Sequence, residues 1–268
     1  MKKVSCVMPT YRRFNCVERS IAFFLAQETE LDTELIIMNT DVDHPLELDD
    51  TFSDIEKNKI IIFNNNIDYL TKDHYASTGS IRRDAFTHAT GELYITWDDD
   101  DIFLPWNIQQ CYDGLKRTGL KAWKPSKSFS WMGGNEFPEI AGNYMEATVM
   151  LYSDEVNFRL ESGPESLSWF DKLKDQKQLI EDEESIPAYC FYWKDDKQIG
   201  GHKQSGTLGH PNNFQLHMQT TVDYAKRKLT RRYLKDYKEA LTKFDSLLSN
   251  HSNKHLVNKY VKQGYYDV

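Results

Sequence analysis

Cysteine is scarce in this chain, and long apolar runs are missing from it. The 268 residues include four cysteines, at positions 6, 16, 111 and 190, with no Cys-x-x-Cys pair. This pattern argues against a disulfide framework and a zinc site, and it is typical of reduced thiols in a cytoplasmic protein. No stretch approaches the ~20 apolar residues of a membrane span, and the start lacks the apolar core of a signal peptide. We therefore expect a cytoplasmic protein without a transmembrane segment.

Basic residues are outnumbered overall but not at the C-terminal end. The net charge is −8, whereas residues 222–268 contain eleven Lys or Arg and five Asp or Glu. Apolar residues from Leu229 to Leu248 recur at steps of three and four, which predicts a basic amphipathic helix. Its charged face is either simply solvated or a surface for an anionic acceptor such as nucleic acid or acidic lipid.

Four consecutive aspartates, residues 98–101, end an apolar stretch of strand composition, residues 93–97. Carboxylates crowded at the end of a buried strand repel one another unless a cation or hydrogen-bond donors neutralise them. Hard divalent cations take such oxygen ligands, and ligands of open α/β sheets bind at the carboxyl ends of strands. The run therefore predicts a site for a metal and a phosphate-bearing ligand. The alternative is a solvated acidic turn or helix cap.

Strands and helices alternate over the first ~120 residues, which predicts a mostly parallel, doubly wound sheet. Strands are predicted over residues 4–8, 35–38, 59–63 and 93–97, and helices over 14–27, 77–89 and 107–116, with Gly91 as a helix stop. Residues 121–152 are aromatic-rich with glycines, typical of short antiparallel strands and a hairpin. A further helix is predicted over 166–173.

Three segments together resemble a known family. They are the Val-Met-Pro-Thr-Tyr-Arg-Arg turn ending at Arg13, Arg82 with the Ala-Thr-Gly-Glu that ends at Glu92, and the acidic run with Pro105. In order and spacing they resemble the GT-A glycosyltransferases, most closely the family-2-like inverting enzymes. The resemblance implies a GT-A, Rossmann-like α/β fold with a mixed, mostly parallel sheet flanked by helices, and a C-terminal helical extension. It also implies a domain over 1–215, with a nucleotide-sugar-binding half (1–118) and an acceptor half (119–215), followed by a basic helical extension (216–268).

The same resemblance implies the site residues and the cofactor, Mn²⁺ or Mg²⁺. Asp100 and Asp98 are the expected metal ligands, although the register of the run is ambiguous by one and Asp99 could replace either. The residues expected at the nucleotide-sugar are Pro9, Thr10, Tyr11, Arg13, Thr40, Asp41, Arg82, Asp98 and Asp99. The second strand leads into Asn39-Thr40-Asp41 rather than the family's Asp-Asp-Gly-Ser, so the nucleotide base stays open.

Two later segments complete the expected site. An inverting enzyme needs a general base for the acceptor hydroxyl, and the resemblance points to Glu165 first and Asp171 second. Ordinary first-turn helix decoration is the alternative for Glu165. The glycine-rich loop 200–210 contains His202, a further candidate metal ligand, although such composition equally fits a surface loop.

The predicted function is transfer of a sugar from a nucleotide-diphosphate sugar to an acceptor hydroxyl, with inversion. The acceptor is open among a glycan, a lipid-linked sugar, a protein and a modified nucleic-acid base. One alternative is a nucleotidyltransferase on a similar fold, which would be expected to carry a glycine-rich loop after the first strand. Another is a non-catalytic binding module for nucleic acid or a membrane surface that uses the basic C-terminal helix.

Overall fold

Strand β1 (Lys3–Thr10) pairs on both sides within the main sheet of the protein. The computed structural model describes residues 2–75, 77–132, 137–143, 146–158, 172–193, 228–231, 244 and 247–261. The other strands in this part of the chain are β2 (Asp32–Asn39), β3 (Ile60–Asn64), β4 (Leu93–Thr96), β5 (Ile102–Phe103), β6 (Ala122–Pro125), β7 (Lys127–Met132), β8 (Glu139–Gly142), β9 (Met150–Tyr152), β10 (Leu179–Asp182) and β11 (Tyr189–Trp193). The helices are α1 (Phe14–Leu25), α2 (Asp54–Lys57), α3 (Thr78–Phe86), α4 (Asn107–Thr118) and α5 (Lys254–Tyr260), with 3-10 turns at Glu146–Thr148 and Ser153–Glu155.

Seven of the described strands form one sheet in the order β10-β6-β9-β4-β1-β2-β3. All neighbours pair in parallel except β9, which runs antiparallel to both β4 and β6. A second sheet has the order β5-β11-β7-β8, and β7 and β8 form the antiparallel pair expected within residues 121–152. The mixed, mostly parallel sheet flanked by helices confirms the predicted fold class. Since β6, β9 and β10 extend the same sheet as β1–β4, the division of the domain at residue 118 stays a prediction.

A buried carboxylate joins the start of the sheet to the segment before β4. Glu34 on β2 is 2% exposed and accepts hydrogen bonds from Ser5 Oγ at 2.6 Å and the Thr90 amide at 2.6 Å. Lys3 Nζ lies 2.6 Å from its other oxygen. Helix α3 already ends at Phe86, so Gly91 is not the helix stop that the sequence predicted. It is needed for close approach, because a Cβ there would lie 2.6 Å from Ser5 Oγ.

The apolar residues divide between the two faces of the main sheet. Apolar residues of α1 and α4 share one cluster with residues of β1 and β4, where α4 packs on β6 and β9. In the other cluster α3 packs on β1 and β2. Helix α4 ends at Gly119, whose φ of 66° is the left-handed conformation that favours glycine. Within the described residues, no helix is long and apolar enough to cross a bilayer.

The described part of the C-terminal segment differs from its prediction. Residues 228–231 are not helical, and Leu229 forms an isolated parallel bridge with Leu48. Its amide donates to the Glu47 carbonyl at 2.8 Å, and its side chain is fully buried. Tertiary burial of Leu229 thus overrides the helical spacing at this point. The prediction of a helix through Leu229 is wrong there; most of 222–248 lies outside the described residues.

Candidate active site

The four aspartates lie at the carboxyl end of β4, beside the carboxyl end of β1. Three of them are buried, with residue exposures of 3% for Asp99, 4% for Asp100 and 1% for Asp101. The side chain of Asp98 is 23% exposed. The run is therefore not the solvated acidic turn that the sequence left open, and Asp98 is its most accessible carboxylate.

The turn after β1 supplies donors to the middle of the run. Thr10 donates through Oγ1 to Asp99 Oδ2 at 2.6 Å. Nη1 of Arg13 lies 2.8 Å from Asp99 Oδ1 and 2.7 Å from Asp100 Oδ2, so one guanidinium bridges two carboxylates. These contacts bring together two of the three segments that carry the family resemblance. They also show how the chain neutralises part of the charge that the sequence predicts to be repulsive.

The two adjacent arginines of α3 point to different acids. Arg82 donates through Nη2 to Asp98 Oδ1 at 2.6 Å, as expected for a residue of the site. Arg83 instead pairs with Asp68 at 2.6 Å and with Asp84 at 3.3 Å. Helix periodicity separates neighbouring side chains by about 100°, which explains why only one of the pair reaches the run.

The fourth aspartate faces the second sheet rather than the turn after β1. Asp101 accepts a short hydrogen bond from the Tyr189 hydroxyl and one of 2.9 Å from the Tyr192 amide. Both donors belong to β11, which pairs with β5 directly after the run. Asp101 is therefore a structural anchor between the acidic run and β11.

The residues after β2 form a separate buried group. Oδ2 of Asp41 lies 3.0 Å from Arg12 Nε and 2.9 Å from His44 Nδ1. Arg12 adopts a left-handed φ of 54°, which turns the chain between β1 and α1. Thr40 bonds to the Thr10 carbonyl through its amide at 3.0 Å and its hydroxyl at 3.3 Å. Both predicted base-site residues thus lie next to the β1 turn, and Asp41 is the one bearing a charge there.

The electrostatics of the run are governed by burial. Burial raises the pKa of Asp99 to about 6, opposed by Arg13 and reinforced by Asp100 and Asp98. For Arg13 the two carboxylates outweigh burial and raise the pKa of the guanidinium, which stays charged. The raised pKa of Asp99 therefore reflects its burial first, and Arg13 offsets part of the negative charge around it.

The ligand chemistry of the run would fit a hard divalent cation. The run offers carboxylate oxygens alone, which suits Mg²⁺ or Mn²⁺ rather than a softer metal. Among the residues that the structure describes, no group of three or more His, Cys, Asp or Glu side chains converges in metal-binding geometry. A cation at Asp98 or Asp100 would therefore share its ligands with Arg82 and Arg13.

Several predicted site residues contribute differently or cannot be placed. Pro9 is buried within β1, opposite Met38. Tyr11 is partly buried, with the Arg12 guanidinium carbon 5.1 Å from its ring centroid. Glu165, Asp171 and His202 lie outside the described residues.

Three further residues contact the run and were not predicted from the sequence: Arg19, Tyr189 and Tyr192. Arg19 lies on α1, opposite the apolar face that the spacing of Val17 and Ile21 predicts, so its pattern indicated a solvated side chain. The signal available for β11 was composition, because Tyr-Cys-Phe-Tyr-Trp at 189–193 is typical of a strand.

Lys228 and Arg231 are the basic residues of the described stretch 228–231, which belongs to the predicted basic extension. Lys228 Nζ lies 3.2 Å from Glu47, and Arg231 Nη2 lies 2.9 Å from Glu56. Both thus pair with acids of the chain itself. These contacts favour a docking role for residues 228–231 over an acceptor surface there.

Comparison with known proteins agrees with this arrangement. Residues 5–125 match the family model described as glycosyl transferase family 2. The structure of S. aureus TarS 1-349 in complex with UDP-GlcNAc is 12% identical, with 98% of this chain and 78% of that chain covered and a TM-score of 0.53. The mannosyltransferase PcManGT from Pyrobaculum calidifontis, in complex with GDP-Man and Mn²⁺, is 11% identical, with 98% and 82% covered and a TM-score of 0.50. No curated protein sequence matches the chain.

The sheet order, the acidic run at the end of β4 and these structural likenesses define a GT-A fold. The match to the glycosyl transferase family 2 model covers residues 5–125, the stretch that contains the turn after β1, Arg82 and the acidic run.

Proposed function

We propose that this protein is a glycosyltransferase, which moves a sugar from a nucleotide-diphosphate sugar to an acceptor hydroxyl, with inversion and with Mn²⁺ or Mg²⁺ at the acidic run. The observation that carries the proposal is the contact of Thr10 and Arg13 with Asp99 and Asp100. It joins the turn after β1 to the acids after β4, at the edge of the sheet where α/β proteins bind phosphate-bearing ligands.

The donor class is supported by the complexes of the structural neighbours, which contain UDP-GlcNAc in one case and GDP-Man with Mn²⁺ in the other. In our proposal Pro9, Thr10, Tyr11 and Arg13 line the nucleotide pocket, with Thr40 and Asp41 on the side of the base. The base itself stays open, since Asp41 already pairs with Arg12 and His44.

The metal proposal rests on Asp98 and Asp100, with His202 as a further ligand. A bound divalent cation would stabilise the negative charge that develops on the departing diphosphate. Arg82 holds Asp98 from the α3 side, and in our proposal its guanidinium meets the diphosphate beside that carboxylate. Asp99 contributes to the nucleotide-sugar site through its bonds to the β1 turn.

For the acceptor we propose Glu165 as the general base, with Asp171 as the second candidate. An inverting transfer requires this base on the face of the sugar opposite the leaving diphosphate. We place the nucleotide-sugar-binding half at 1–118, the acceptor half at 119–215 and the extension at 216–268. The cytoplasm is the proposed compartment, because all four cysteines are buried free thiols.

The proposal is tested by thermal unfolding with UDP, GDP, UDP-GlcNAc and GDP-mannose, each with and without Mn²⁺. A ligand at 100 times its dissociation constant stabilises a protein by about 2.7 kcal/mol, a shift of several degrees for this length. We expect one nucleotide to produce a Mn²⁺-dependent shift that is lost in Asp98→Asn and Asp100→Asn.

Asp113→Asn is the matched control, because Asp113 is a partly exposed acid of α4 that pairs with Lys259. This variant should keep the full Mn²⁺-dependent shift. A wild-type protein that responds to none of the nucleotides would contradict the donor proposal. A shift that needs no metal would contradict only the metal proposal.

A further inference from the structure

Arg19 contacts the main chain of the acidic run, whereas Arg13 and Arg82 contact its carboxylates. Its Nη2 donates to the main-chain oxygen of Asp100 at 2.6 Å. The residue is 6% exposed and lies in the middle of α1, between the β1 turn and the second sheet. A charged-residue contact to the backbone of the run is thus built into the core of the protein.

The same guanidinium also lies against β11. Its central carbon is 5.1 Å from the ring centroid of Tyr192, within the range of a cation–π contact. The Tyr192 amide in turn donates to Asp101. Arg19 therefore touches the run at Asp100 and packs on the residue that holds Asp101.

Burying this arginine is costly, and the cost is not fully compensated by the contacts within the described residues. Nε of Arg19 is buried without a hydrogen-bond partner there. An apolar residue would fill such a position at a lower desolvation cost. What an apolar residue would not provide is a positive charge and a donor beneath four carboxylates.

The choice of acceptor atom matters for the site. Arg13 and Arg82 bind carboxylate oxygens of the run, whereas Arg19 binds a carbonyl. It can therefore offset negative charge without using a carboxylate oxygen that a cation would need. The hydrogen bond also fixes the Asp100 peptide, and with it the direction in which the neighbouring side chains leave the chain.

We propose that Arg19 is a positioning residue, which holds the Asp100 peptide so that the carboxylates of Asp98, Asp99 and Asp100 face Arg82 and the turn after β1 while that of Asp101 faces β11. Its contribution to donor binding rests on the proposed function. Its hold on the run does not, and the two are measured separately.

The first measurement is hydrogen exchange of the peptide covering residues 93–104 in the full chain, for wild type, Arg19→Met and Arg19→Lys. We expect the exchange rate of this peptide to rise about tenfold in Arg19→Met, because a tenfold change corresponds to the loss of one charge-assisted hydrogen bond. The exchange rates of β1 and β2 should not change. Arg19→Lys, which keeps the charge and a donor, should recover part of the protection. Arg117→Met is the control, since Arg117 pairs with Asp182 at the far end of α4.

The second measurement is the dissociation constant of the nucleotide that stabilises the wild type, determined with Mn²⁺. We expect it to rise about tenfold in Arg19→Met and to stay near the wild-type value in Arg117→Met. Unchanged exchange in residues 93–104 would overturn the positioning role. Faster exchange with an unchanged dissociation constant would mean that Arg19 stabilises the fold but does not contribute to nucleotide binding. If the wild type binds no nucleotide, the proposed function fails, and the exchange result alone decides whether Arg19 holds the run.

Discussion

The Tyr189 hydroxyl donates a hydrogen bond to the buried carboxylate of Asp101, 88 residues earlier in the chain. This contact fixes the second sheet to the acidic run, because Tyr189 begins β11 and Asp101 directly precedes β5. Burial and the negative charge of Asp101 raise the pKa of the tyrosine well above its ordinary value, so the hydroxyl remains a donor.

Tyr189→Phe removes this donor without removing the ring. We expect the free energy of unfolding to fall by about 2 kcal/mol, the cost of losing a hydrogen bond to a buried charge. Urea denaturation measures this value. Tyr69→Phe is the control, because Tyr69 is 48% exposed and its change should leave stability within about 0.5 kcal/mol. Equal stability of the two variants would show that the contact contributes nothing net.

The adjacent arginines of α3 should separate in a kinetic experiment. Arg82→Ala leaves Asp98 without its 2.6 Å contact, so we expect kcat/KM for the donor to fall tenfold or more, about what a charge-assisted hydrogen bond provides. Arg83→Ala breaks the pairs with Asp68 and Asp84, away from the run, and should lower the unfolding temperature while changing kcat/KM much less. Equal losses in kcat/KM would refute this separation.

Glu34 should make the free energy of unfolding fall as the pH is lowered. Burial alone would raise its pKa, but hydrogen bonds from Lys3, Ser5 and Thr90 together lower it below the ordinary value of 4.5. A folded-state pKa below the unfolded one gives stability that is present above the unfolded pKa and lost as the pH falls through the folded pKa.

We therefore expect urea denaturation of the wild type to show a loss of stability between neutral pH and about pH 3 that is smaller in Glu34→Gln. At neutral pH the variant should be less stable by about 2 kcal/mol. Because other carboxylates titrate in both proteins, the difference between the two curves is the relevant quantity. A difference that does not change with pH would contradict the assignment to Glu34.

Two glycines of the α4 region should respond differently to alanine. A Cβ on Gly114 would lie 2.2 Å from the Trp123 ring, so we expect Gly114→Ala to destabilise by about 3 kcal/mol through overpacking. A Cβ on Gly119 meets no atom within 4 Å, and its cost is the left-handed φ, about 1 kcal/mol. Thermal unfolding compares them. A smaller effect at Gly114 than at Gly119 would mean that the indole shifts readily.

The parallel core of the fold could be predicted because its strands are short apolar runs separated by amphipathic helices. Predicted and observed bounds differ by a few residues, as for Leu35–Met38 within β2. Strands β10 and β11 were missed because each pairs with strands about 50 to 90 residues earlier. The spacing of apolar residues within each segment does not indicate such a pairing. Leu229 shows the opposite failure, in which a helical spacing gives way to a buried bridge with Leu48.

The candidate site was predicted where chemistry is visible in residue type. Crowded carboxylates require neutralisation, and the family resemblance placed Arg13 and Arg82 at the nucleotide-sugar. That Arg13 bridges two of the carboxylates was not predicted. It could not show that Asp101 turns to β11, since residue type is the same at all four positions and only the tertiary path distinguishes them. Arg19 was hidden for a related reason: α1 is covered on more than one face, so its polar side is not solvated.

The packing of residues 228–231 against the N-terminal part of the chain has a consequence for synthesis of the protein. Thr230 donates to the buried Glu18 through its amide at 2.7 Å, across 212 residues, and Leu229 fills a fully buried position beside it. At about 5–20 residues per second, roughly 10–40 s separate the emergence of α1 from that of its last partner. During that interval the apolar surface that receives Leu229 is open to water, so the nascent chain presents a hydrophobic patch to chaperones that the folded protein hides.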